Sequence, residues 1–164
     1  MLGRYLMGIC VAWTLTMTGV AAALDVGDRL PAFALRDWQG QPLAIDAAAQ
    51  RVFVVDFWAS WCMPCRTLLP ALSKLGQAVP QAKIYSVNID ADRAAAQGLL
   101  ATVGPLPGVT LVQDPSGRLL ADFGAPSMPS LFVIVDGKVH SVHSGFSTTE
   151  LAHLEADLSK LVAP

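Results

Sequence analysis

Two cysteines three positions apart, Cys62 and Cys65, stand where an apolar run gives way to a helical pattern. A cysteine at a helix N-terminus meets unpaired N–H groups and the positive end of the macrodipole, which favour an anion. That placement predicts a stabilised thiolate at Cys62, the nucleophile of the pair. Cys65, one turn on, lies within reach of a mixed disulfide on Cys62 and can release the partner reduced. So short a loop constrains the unfolded chain little, so the pair suits chemistry better than stapling. Three other uses compete. A zinc site needs more ligands; no third cysteine follows residue 23, and His140, His143 and His153 cluster far along the chain. Haem attachment requires histidine where this chain has Arg66. A purely structural disulfide is the third.

The elements around the pair must hold it at a strand-to-helix turn. Residues 52–58, Val-Phe-Val-Val-Asp-Phe-Trp, form a continuous apolar and β-branched run, the pattern of a strand buried on both faces. Beyond the cysteines, Leu68, Leu69, Leu72, Leu75 and Val79 recur at helical spacing, with Pro64 suited to the first turn and Pro70 expected to kink the helix. Residues 83–89 predict the next strand and 92–102 an alanine-rich helix. After the break at 104–108, residues 109–112 predict a short strand and 119–123 a short helix. Strands at 131–135 and 139–142 flank Asp136-Gly137, a strong hairpin signal. Residues 148–161 predict a closing amphipathic helix capped by Thr148. Upstream, 33–35 and 43–45 read as a hairpin or two edge strands. Strands alternating with helices, then an antiparallel hairpin and a final helix, imply one α/β domain with a mixed sheet covered on both faces.

Of the 164 residues, 53% are hydrophobic and 15% charged, which excludes a disordered chain. A net charge of −2 without any Lys/Arg cluster argues against a nucleic-acid partner. Part of the apolar excess is concentrated at the start. Arg4 is followed by an uncharged run to Leu24 with Ala21-Ala22-Ala23 at its end, the pattern of a secretory signal cleaved near Ala23. An uncleaved membrane anchor is the alternative, since a run of this length can span a bilayer. Both readings deliver residues 24–164 across a membrane. Cys10 belongs to this leader, so the exported part carries only Cys62 and Cys65.

The segment Asp56-Phe57-Trp58-Ala59-Ser60-Trp61-Cys62-Met63-Pro64-Cys65 resembles the active-site segment of the thioredoxin superfamily, and Met128-Pro129 resembles its cis-proline loop. The likeness covers most of residues 25–164. The apolar N-terminus, the extended region before Arg51 and the long stretch from Cys65 to Pro129 resemble the TlpA/ResA-like branch. The resemblance implies a thioredoxin-like fold with an N-terminal strand extension and a central β/α insertion within 91–125. It also implies a periplasmic or membrane-tethered thiol-disulfide oxidoreductase, often a reductant in cytochrome c maturation. Many members of the branch carry glutamate three residues after the second cysteine; this chain has Leu68 there, with Asp56 at the position of the buried aspartate of ordinary thioredoxins.

The resemblance makes Asp56 a proton acceptor for Cys65, against the alternative that strand alternation turns it to solvent. A cis bond at Pro129 would expose the backbone of Met128 to an extended substrate. Met63 and Met128, the only methionines after the leader, offer either soft ligands for Cu(I) or a flexible apolar rim for varied partners. The rim is the preferred reading. Trp61, beside the nucleophile, is expected at the surface and Trp58 in the core. Pro64 limits the turn, and the absence of histidine between the cysteines favours a reductant over a strong oxidant. The sequence thus predicts an exported disulfide reductase using Cys62, Cys65 and Asp56, with Trp61, Met63, Pro64, Met128 and Pro129 contacting substrate. No organic cofactor or metal is expected; the partners are disulfide-containing exported proteins and a membrane-delivered dithiol donor. An oxidase or isomerase, and a Cu(I)-delivering protein, are the alternatives.

Overall fold

The computed structural model describes residues 23–45 and 50–163. The leader, whether signal or anchor, lies outside the described residues apart from Ala23. Among the described residues no helix is long and apolar enough to cross a membrane.

Strand β3 (Val52–Trp58) is buried along its whole length, as a strand apolar on both faces must be. It pairs in parallel with β4 (Lys83–Asn88) and antiparallel with β6 (Ser130–Val135). Strand β5 (Val109–Gln113) continues the parallel part, and β7 (Lys138–Ser144) closes the other side as a hairpin with β6. That hairpin turns through Asp136 and Gly137 with φ of 50° and 72°, left-handed values that the Asp-Gly pair tolerates. A small hairpin, β1 (Leu35–Asp37) and β2 (Pro42–Leu43), adds antiparallel to β5, so the order is β2-β1-β5-β4-β3-β6-β7. The hairpin was expected at 33–35 and 43–45. Its inner ladder instead forms where Asp37 Oδ1 accepts from the backbones of Gln39 and Gln41, closing the turn.

Helices α1 (Cys65–Ala78) and α4 (Thr148–Leu161) cover one face of the sheet. Val52 and Val54 pack there against Leu68, Leu72 and Leu75 of α1 and Leu154 and Leu158 of α4. On the other face Phe53, Val55 and Phe57 meet Tyr85, Phe132 and Phe123, the last from α3 (Arg118–Phe123). Helix α2 (Arg93–Val103) sends Ala96 and Leu99 into a third cluster, around Trp58, Cys62, Cys65 and Leu69. The stretch 91–125, where a β/α insertion is expected, holds α2, β5 and α3. Helix α1 runs on through Pro70 and is pinned near its end: Ser73 Oγ donates to the Pro107 carbonyl at 2.7 Å. The Gly108 backbone lies so close to Gly76 that a Cβ on either glycine would collide with it. The cap of α4 is a correction: Ser147, not Thr148, occupies the N-cap and accepts from the Glu150 amide at 3.1 Å. Its backbone is extended and its hydroxyl also donates to Glu150 Oε2 at 3.1 Å, which suits it to that place, whereas Thr148 is already helical.

Candidate active site

The dithiol pair sits on the turn from β3 to α1. The Cys62 amide donates to the Ala59 carbonyl at 3.1 Å, and the Cys65 and Arg66 amides donate to the carbonyls of Cys62 and Met63. These turns wind into a helix whose first residue is Cys65 and whose N-cap is Pro64. Pro64 thus stands one place before the first turn foreseen for it. Its missing N–H is no loss there, because the first amides of a helix have no partner within it. Cys62 and Cys65 are joined as a disulfide, Cα to Cα 5.3 Å. Cys65 is wholly buried and Cys62 is 3% exposed, whereas Trp61 and Met63 beside it are 66% and 67% exposed. The neighbours of Cys62 therefore project from the surface while both cysteines sit against Trp58 and Leu69.

The Met128–Pro129 peptide is cis. Its loop is braced from both sides: Ser130 Oγ donates to the Ser127 carbonyl at 2.6 Å, and the Gly145 amide donates to the Pro129 carbonyl at 2.8 Å. Met128 is half-buried and packs against both the Phe cluster and the cluster holding Cys62 and Cys65. Trp61, Met63 and Pro64 are exposed around Cys62, and Met128 packs against the cluster that holds both cysteines.

Asp56 is fully buried, so the solvent-facing alternative does not occur. Alternation along β3 puts it on the same face as Val54, under Leu68 and Leu72, and Trp58, against Cys65 and Leu69. It therefore lies beneath the first turns of α1. Ser86, its register partner on β4, donates to Oδ2 at 2.7 Å, while Oδ1 has no partner. Burial pushes the Asp56 carboxyl up from 3.8 to about 7, and the Ser86 hydroxyl opposes this only in part. Trp58 is buried as expected, its indole Nε1 without a partner.

Several residues of the site escaped the sequence reading. Ser86 is a polar residue in an apolar strand, a detectable signal whose meaning depends on the register with Asp56. Trp38, on the β1–β2 turn, stacks on Trp58 with ring centroids 6.4 Å apart. Arg93 lies 4.9 Å over the Trp38 ring, and Arg93 and Gln113 both donate to the Trp38 carbonyl. Ser60, Asn88 and Asp90 form a hydrogen-bonded network at the cysteine turn, with Asn88 and Asp90 buried and Ser60 half-buried.

This sheet order, with a disulfide pair opening the first long helix and a cis-proline loop beside it, defines a thioredoxin-fold protein. A profile of the AhpC/TSA family matches residues 26–142, and the chain belongs to that family. Over 92 residues it is 39% identical to the thiol:disulfide interchange protein DsbE homolog of Paracoccus denitrificans, covering 56% of this chain and 49% of the relative. The match thus spans about half the length of that relative. The thiol-disulfide oxidoreductase ResA of Bacillus anthracis is 25% identical over 141 residues, 84% of this chain and 79% of ResA. Among solved structures, a Chlorobium tepidum protein described as a thiol:disulfide interchange protein DsbE superposes with a TM-score of 0.77 at 32% identity. That superposition covers 86% of this chain and all of the other.

Proposed function

We infer that the protein is a thiol-disulfide oxidoreductase that reduces disulfides of exported proteins. The observation that carries this reading is the Cys62–Cys65 disulfide at the β3–α1 turn, bordered by exposed Trp61 and Met63. In the reduced enzyme the Cys62 thiolate attacks a substrate disulfide, forming a mixed disulfide and expelling one substrate thiolate. Cys65 then loses its proton and attacks the Cys62 sulfur. The Cys62–Cys65 disulfide forms, and the second substrate thiol leaves, so two electrons pass to the substrate. Asp56 receives the Cys65 proton; a carboxyl at about 7 is close to half-ionised at neutral pH and can both take and return it. Trp61, Met63, Pro64, Met128 and Pro129 hold an extended substrate segment, with the Met128 backbone as its pairing partner. Residues 24–164 act as one thioredoxin-like domain, and residues 1–23 deliver it across the membrane as a signal or retain it there as an anchor. Electrons return from a membrane-delivered dithiol, and the resemblance to the TlpA/ResA-like branch supports a role in cytochrome c maturation.

Equilibration of the purified protein against glutathione buffers tests the direction. A reductase is expected near thioredoxin's value of about −270 mV; a potential near about −120 mV would reverse it.

A further inference from the structure

Just beyond β4, Asp90 is buried with both carboxylate oxygens engaged. Oδ1 accepts from Ser60 Oγ at 2.9 Å; Oδ2 accepts from the Ser60 amide at 2.7 Å and the Asn88 side-chain amide at 2.8 Å. The Asp90 amide donates to Asn88 Oδ1 at 3.2 Å, and the Ile89 amide donates to the Trp58 carbonyl at 3.1 Å. The parallel ladder of β3 and β4 ends at Trp58 and Asn88, so past that point side chains take over the fastening. What they fasten is the turn from Ala59 to Cys62.

Asp90 also meets only neutral donors. The ion pairs among the described residues lie elsewhere, at Arg118–Asp122 and Lys160–Asp157. Its charge is therefore held without a counter-ion against Ser60, two residues before the nucleophile in the same turn. A like charge so placed disfavours a thiolate, partly offsetting the helix N-terminus, which favours one. Asp56 is the other carboxyl behind the turn, and Arg66 is an exposed cation one residue beyond Cys65.

We propose that Asp90 is a positioning residue for Cys62: it fixes the turn through Ser60 and, as an uncompensated carboxylate, biases the pair toward the disulfide. A pair so biased gives up its electrons more readily, which supplies a structural reason for the reducing direction. The inference rests on the dithiol-exchange reading above.

The test equilibrates the full chain and three variants with glutathione at pH 7. Asp90→Asn keeps the shape and removes the charge. It should shift the equilibrium toward the dithiol by roughly three- to tenfold, a potential about 15–30 mV higher. Ser60→Ala keeps the charge and the backbone hydrogen bond and should shift it by less than about twofold. Asp90→Ser provides the neutral comparison should the asparagine variant fold poorly. An unchanged equilibrium in both neutral variants, or an equal shift in Ser60→Ala, overturns the role of the charge. A wild-type potential near about −120 mV sinks the reductase reading instead, and is read separately from any shift.

Discussion

The two faces of β3 are built from alternate residues of one strand and do opposite things. Phe53, Val55 and Phe57 point into a cluster of aromatic edges, with Phe57 5.3 Å from Phe123 and 6.1 Å from Phe132 between ring centroids. Val52, Val54, Asp56 and Trp58 point under α1, where an unpaired carboxylate oxygen and an unpaired indole N–H are left in the interior. The first face maximises apolar contact. The second gives up some of it to keep a proton-binding group beneath the cysteines. Stability and chemistry are thus separated by the two-residue period of a single strand.

The largest test of that separation removes the chemistry alone. Cys62→Ser should lower disulfide reduction by several orders of magnitude, on the order of a thousandfold or more, while leaving the Phe cluster and the far-UV spectrum intact. Residual turnover close to wild type would end the assignment of Cys62 as nucleophile. The converse change, Phe123→Ala, should cost about 3–5 kcal/mol in urea unfolding and leave the glutathione equilibrium unmoved. A shifted equilibrium would show that the faces are coupled.

Asp56→Asn comes next. The folded protein holds the Asp56 proton up to about pH 7 and the unfolded chain only to about 3.8. The stabilising contribution of that proton is complete below the lower value and gone above the upper one, a span of up to about 4 kcal/mol. The asparagine variant should therefore gain on wild type as pH rises from about 4 to 7 and be the more stable of the two at pH 8. It should also resolve mixed disulfides more slowly and lose the rate increase near pH 7. Equal stability at pH 5 and pH 8 would remove the buried ionisation from the argument. Smallest is Ser147→Ala, expected to cost about 1 kcal/mol through the α4 cap without altering exchange; its melting midpoint checks this.

Strand β3, helix α1 and the Asp136-Gly137 turn were legible because their signals are local: seven positions of which six are apolar, leucines at helical spacing, a dipeptide that tolerates left-handed φ. Asp56 was legible as an oddity, an acid in an apolar run. What made it intelligible was Ser86, thirty positions away and opposite it only through parallel register. Asp90 falls just past the strand expected over 83–89, and its grip on Ser60 exists only after β3 and β4 lie side by side. Trp38 carries no periodic signal at all, since its place is set by a turn folding across the sheet edge onto Trp58.

That turn has a bearing on grafting. The β1–β2 hairpin hydrogen-bonds to the sheet through β5, and the carbonyl of Trp38 is gripped by Arg93 at the start of α2 and Gln113 at the end of β5. The hairpin, α2 and β5 therefore form a single transplantable cassette. Excising residues 93–113 would leave β1 without its neighbour and Trp38 without either clasp, rather than a trimmed-down relative. A chimaera that moves either piece alone should express as a misfolded chain, and one that moves both should keep the shelter over Trp58.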